Sequence, residues 1–151
     1  MLVKELLESN LVTVAPTDTL SKAWEVLRKH GVTGAVVVTE EGRLVGVVTD
    51  GDFIRACMPS ETDIAIYDEI MEKMELPDAF LRYIRAMRVE DIMQPEDQVI
   101  TIGHNEPIIK ALALMFQHRL RRIPVLENNQ LIGTISRAQI LQELLITRDV
   151  S

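Results

Sequence analysis

Thr49-x-x-Asp52 and Ser136-x-x-Gln139 each place a hydroxyl side chain three residues ahead of one that can return a hydrogen bond. At a helix start this is the spacing of a capping box, in which the two side chains satisfy each other's backbone N–H groups. Asp52 also suits different chemistry. A carboxylate is an acceptor-only group, and one fixed at a helix start can accept both hydroxyls of a vicinal diol through charge-assisted bonds. Gln139, a neutral amide, can accept one bond. A second group is His118, Arg119, Arg121 and Arg122, the densest positive cluster in the chain. It reads either as a solvated loop or as guanidinium forks that match phosphate oxygens. Arg137, beside Ser136, has the same two options.

Other chemistry is not written in the residues. His30, His104 and His118 match no metal-ligand spacing, and Cys57, the only cysteine, stands apart from all three. There is no G-x-S-x-G, Walker string or G-x-G-x-x-G, and no nucleophile with an adjacent base. The expectation is a protein that is not an enzyme and requires no metal or cofactor. The net charge of −7 divides as −2, −3 and −2 over residues 1–58, 59–88 and 89–151. With no basic stripe and 4% aromatic residues, nucleic acid is disfavoured as a partner. No apolar run approaches bilayer length, the N-terminus has no signal-peptide h-region, and a lone cysteine fits a reducing compartment, so a cytoplasmic protein without a membrane partner is expected.

The elements that must position these groups occur twice. Val12-Thr13-Val14 opens a block ending at Leu44–Thr49, and Ile100-Thr101-Ile102 opens a second ending at Leu131–Ser136. The offset is 88 residues from Val12 to Ile100 and 87 from Gly46 to Gly133. Such self-similarity means two copies of one small unit. The first copy reads as strand 12–14, a helix capped at Thr17 or Asp18 with Leu20, Ala23, Trp24 and Leu27 on one face, strands 35–39 and 44–49, and helix 50–58. Gly31 suits the left-handed position after the first helix. The second copy reads as strand 99–102, helix 107–118 with Pro107 in its first turn, strands 123–126 and 131–136, and helix 138–146. Between them, Ser60-x-x-Asp63 starts a helix with Ile64, Tyr67, Met71 and Met74 as its apolar stripe. Pro77-Asp78 breaks it, and a second stripe follows at Phe80, Tyr83, Ile84 and Met87. The two stripes serve either to pack on the same chain, the favoured use, or to contact a second subunit, with the methionines as adaptable filler.

This β-α-β-β-α unit, repeated once, resembles the CBS domain, and the tandem resembles a CBS pair or Bateman module. Val3-Lys4-Glu5-Leu6-Leu7 and Val89-Glu90-Asp91-Ile92-Met93 look like the family's lead-in before the first strand. Arg121-Arg122-Ile123-Pro124-Val125 looks like its approach to the second strand. Leu44-Val45-Gly46-Val47-Val48-Thr49-x-x-Asp52 looks like its third strand running into the second helix. The resemblance divides the chain into repeat one at 1–58, a helical connector at 59–88 and repeat two at 89–151.

The resemblance implies an α/β (α+β) fold with two repeats packed about a pseudo-twofold axis. It implies clefts between the repeats that bind adenosine-containing ligands such as AMP, ADP, ATP or S-adenosylmethionine. It also implies a homodimer and a regulatory role toward a separate effector protein. Asp52, with Thr49, becomes the candidate ribose group, and Val12, Val14, Ala35 and Val36 the candidate adenine slot. Arg121 and Arg122 become candidates for phosphate; their counterparts Thr33 and Gly34 are uncharged. Ile102, Ile123, Pro124, Ser136 and Gln139 would form a second cleft, where Gln139 departs from the family's Asp. Three further readings remain open: an interaction module whose clefts no longer bind, an enzyme acting on a nucleotide, and a nucleic-acid binder using Arg119, Arg121 and Arg122.

Overall fold

The computed structural model describes residues 1–59 and 63–150. The first repeat contributes β1 (Thr13–Val14), α1 (Leu20–His30), β2 (Gly34–Val38), β3 (Leu44–Thr49) and α2 (Asp50–Cys57). The connector forms α3 (Ile64–Lys73) and α4 (Asp78–Ala86), followed by the short β4 (Gln94–Pro95). The second repeat contributes β5 (Ile102–Gly103), α5 (Ile108–His118), β6 (Arg122–Glu127), β7 (Gln130–Ser136) and α6 (Arg137–Gln142), which runs into a π-helical turn at Glu143–Thr147. One sheet has the order β1-β2-β3-β4 and the other β5-β6-β7. In each, the first strand pairs in parallel with the second, across the helix that joins them. The expected α/β class and doubled β-α-β-β-α order are both present.

Packing divides the chain into two compact units, one of Val12–Glu41 and Val45–Gln98, the other of Met1–Leu11, Gly42–Leu44 and Val99–Ser151. The core of the first gathers Val14, Leu20, Ala23, Leu27, Val37 and Val48 with Phe53 of α2 and Ile84 of α4. Trp24, on the rim of the expected α1 face, is partly exposed and meets Phe53 edge-on at a 5.2 Å centroid separation. The core of the second gathers Ile102, Ile108, Ala111, Met115, Ile123, Val125, Ile135 and Ile140. Each core is built from helix positions i, i+3 and i+7 closing on alternating strand residues.

The lead-ins are placed in a way the sequence reading missed. Val3–Glu5 and Val89–Asp91 are each one 3-10 turn with a fully buried valine. Val89 and Glu90 donate their backbone N–H groups to the carbonyls of Asp18 and Pro16, at 2.9 and 3.0 Å. Val3 and Lys4 donate to Glu106 and His104, at 2.8 and 2.9 Å. Each lead-in therefore docks on the β-α turn of the repeat that it does not precede. The exchange continues along the chain, since Gln94-Pro95 pairs with Gly46-Val47 while Glu8 and Thr134 exchange two backbone bonds at 2.9 Å.

Several local expectations are corrected. The N-cap of α1 is Thr19, whose hydroxyl accepts the Lys22 N–H at 3.2 Å. Asp18 is unavailable because its carboxylate accepts the Ala15 N–H at 2.9 Å and bridges Lys22 at 3.1 Å. Pro107 is the N-cap of α5 rather than part of its first turn, with ψ 148°. Of expected strand 99–102 only Ile102 is strand, in a two-residue β5 that ends at Gly103, and expected helix 138–146 keeps α-geometry only to Gln142. In the connector, Ser60 lies outside the described residues. The buried residue of α3 is Ile70, and Met71 and Met74 face solvent. In α4, Phe80, Ile84 and Met87 pack on the first core as expected, whereas Tyr83 is exposed. Gly31 ends α1 at φ 66°, and Arg119 takes the same left-handed place after α5 at φ 55°.

Candidate functional site

The two hydroxyl-to-acceptor motifs sit at matching helix starts. In the first unit, the Asp50 N–H of α2 donates to the Thr33 carbonyl at 2.8 Å. In the second, the Arg137 N–H of α6 donates to the Arg121 carbonyl at 2.9 Å. Each helix start is thus pinned to the residue that leads into the central strand of its own sheet. A strand that ends in a β-branched or hydroxyl residue and turns straight into a helix leaves orphan N–H groups, and the capping side chains satisfy them.

At the first helix start, Asp52 Oδ2 accepts the Thr49 N–H at 2.8 Å and the Thr49 hydroxyl at 3.3 Å. Its other oxygen, Oδ1, accepts from the Arg55 guanidinium one helical turn on. The Asp52 side chain is 9% exposed, whereas that of Arg55 is 73% exposed. Sequence reasoning missed Arg55; its i, i+3 spacing from Asp52 was the available signal. At the second helix start, Gln139 Oε1 accepts the Ser136 N–H at 3.4 Å and the Ser136 hydroxyl at 3.3 Å, and the Ser136 hydroxyl accepts the Gln139 N–H at 3.3 Å. The amide reproduces the cap with longer bonds and no charge.

The apolar candidates separate by sheet face. Val14 and Ala35 are buried in the first unit's own core. Val36 is buried on the opposite face of β2, and its N–H donates to the Val12 carbonyl at 3.2 Å. Thr49, Asp52, Val12 and Val36 all belong to this unit. Ile102 and Ile123 are core residues of the second unit, and Pro124 is buried opposite Thr134 in β6. Arg121 is exposed, one residue before β6. Arg122 is committed: its guanidinium pairs with Glu8 and donates to the Thr134 hydroxyl at 3.3 Å.

An open concavity of about 540 Å³ lies in the second unit, lined by Ile102, His104, Glu106, Lys110, Leu126 and Asn128; Ile102 is the one candidate site residue that it reaches. Lys110 on its wall pairs with Glu106 at 3.1 Å, and His104 Nε2 lies 3.6 Å from a Glu127 carboxylate oxygen. Among the described residues, no three His, Cys, Asp or Glu side chains gather as a metal group. No described helix is long and apolar enough to cross a membrane.

The arrangement defines a tandem-repeat α/β protein with a capped acceptor group at each second-helix start. The family model for the CBS domain matches residues 3–59 and 89–146, and the chain belongs to that family. It is similar to the CBS domain-containing protein YhcV of Bacillus subtilis, 27% identical over 134 residues, covering 89% of this chain and 79% of YhcV. The CBS domain of a CBS domain-containing membrane protein from Sphaerobacter thermophilus superposes with a TM-score of 0.72 at 27% identity, covering 97% of this chain and 89% of that one. CBSX2, solved in complex with AMP, gives a TM-score of 0.72 at 25% identity, covering 97% and 98%.

Proposed function

We propose that this chain is a regulatory module that senses an adenosine-containing nucleotide (AMP, ADP, ATP or a close relative) and signals to a separate effector protein. The observation that carries the reading is Asp52. It is a nearly buried carboxylate locked at a helix start, and among the described residues its Oδ1 accepts from one partner, the exposed Arg55. A carboxylate so placed suits a ribose diol. Val12 and Val36, of the same unit as Asp52, are the residues proposed for the base, together with Val14 and Ala35. The AMP complex of the similar CBSX2 supports the ligand class.

The second repeat is proposed as the weaker site. Ile102, Ile123 and Pro124 are its proposed apolar residues, with Ile123 fully buried behind the surface, and Ser136 and Gln139 present an amide in place of a carboxylate. Arg121 is the phosphate candidate there, since Arg122 is held by Glu8. A module with no ligand at all is the second reading, favoured by that same amide and ion pair. The proposed module acts without turnover, in the cytoplasm, as a homodimer. A ligand shifts its conformational equilibrium only by the difference in affinity for the two states.

The test is a thermal-shift panel of AMP, ADP, ATP, S-adenosylmethionine, NAD and GTP on wild type and Asp52→Ala. A ligand at 100 times its Kd should add about 2.7 kcal/mol to wild-type stability. Stabilisation by an adenosine compound, lost in Asp52→Ala, supports the sensor. A cooperative melt unmoved by all six supports the interaction module.

A further inference from the structure

We infer that Arg55 is the residue that makes this site prefer a nucleotide to a nucleoside, by exchanging Asp52 for a phosphate when ligand binds. The inference rests on the reading of Asp52 as the ribose carboxylate. Each carboxylate oxygen has two acceptor positions. Both positions of Asp52 Oδ2 are taken by Thr49, its N–H at 2.8 Å and its hydroxyl at 3.3 Å. Among the described residues, Oδ1 accepts from Arg55 alone. A vicinal diol brings two donors, and only one position on Oδ1 is open. The second hydroxyl therefore competes with the guanidinium for its place.

The displaced cation cannot go far. Arg55 is anchored on α2 one turn beyond Asp52, and its side chain already lies 73% in solvent, so it swings without disturbing the core. It is also the only cation on α2, whose first turn carries Asp50 and Asp52. Without Arg55, a ribose seated on Asp52 would hold its phosphate beside two carboxylates, and like charges at such range repel. With it, the loss of one charge-assisted bond is offset by another, guanidinium to phosphate. A nucleoside displaces Arg55 and gives it nothing in return.

The experiment is a calorimetric titration of the full chain with adenosine and with AMP, in wild type, Arg55→Ala and Arg55→Lys. The expected result is that the preference for AMP over adenosine falls about tenfold in Arg55→Ala, the worth of one charge-assisted hydrogen bond. Adenosine itself should bind Arg55→Ala at least as tightly as wild type, because its competitor is gone. Arg55→Lys should retain most of the preference. Should Arg55→Ala melt before it can be titrated, Arg55→Gln supplies the neutral variant. An unchanged preference in the neutral variant, or equal weakening of both ligands, overturns the exchange while leaving the ribose reading intact. A wild type that binds neither compound overturns both.

Discussion

A Cβ placed on Gly133 would lie 2.5 Å from the carbonyl oxygen of Glu8. That approach is forced by the exchanged lead-in, whose Glu8 pairs with Thr134 beside it. Gly46 stands in the same relation to Gln94, also at 2.5 Å. The glycine shared by the two third strands is therefore a place where another backbone must lie against the sheet. Gly133→Ala and Gly46→Ala should each destabilise the fold by about 1–3 kcal/mol, as overpacking against backbone does. Urea denaturation would read the change. A variant as stable as wild type would mean that the lead-in is not held where the structure puts it.

The two caps should differ in what their removal costs. Asp52→Ala removes the acceptor of the Thr49 N–H and should cost about 1–2 kcal/mol, a drop in Tm of a few degrees for a chain of this length. Asp52→Asn keeps an acceptor for that N–H and should lose less. The Arg55 pair adds little to stability in either case, because its guanidinium is mostly in water. Ser136→Ala, losing longer bonds, should cost about 1 kcal/mol or less. Thermal melts of the three variants check the order.

The proposed dimer has a specific candidate surface. Ile109 and Phe116 lie seven residues apart on α5, 64% and 86% exposed, and Leu145 and Ile146 are exposed beyond α6 in the same unit. Phe116→Glu should convert a dimer into a monomer in sedimentation velocity without lowering the intrinsic stability of the chain, since Phe116 contributes little to its own core. Unchanged sedimentation of Phe116→Glu would exclude this face.

Much of this architecture was legible because it is written in periodicity. The α1 face at Leu20, Ala23 and Leu27, the β-branched strand through Val36 and Val37, and the doubled order of elements all follow from apolar spacing. Side chains with two local uses were harder. Asp18 is as good a cap as Thr19 by type, and only the folded turn shows that its carboxylate is already bound to Ala15 and Lys22. Met71 and Met74 read as core by spacing, yet α3 has one buried position, and Ile70 takes it. The exchange of lead-ins was invisible for a different reason. Val3 and Val89 carry the same local signal, and which repeat each one docks on is a long-range choice that no local pattern encodes.

The site was legible as far as Thr49, Asp52, Ser136 and Gln139, because capping spacing is local. Arg55 and the Glu8–Arg122 pair were not. The first needs the rotamer of an exposed side chain, and the second joins residues 114 positions apart.

The central claim, that Asp52 reads a ribose, is tested most directly by titrating wild type and Asp52→Asn with AMP and with its 2′,3′-dideoxy analogue. Wild type should bind AMP about tenfold more tightly than the analogue, the worth of a charge-assisted hydrogen bond. Asp52→Asn should bind the two nearly alike. The same preference in both proteins, or none in wild type, would contradict the assignment and leave Asp52 as a helix cap.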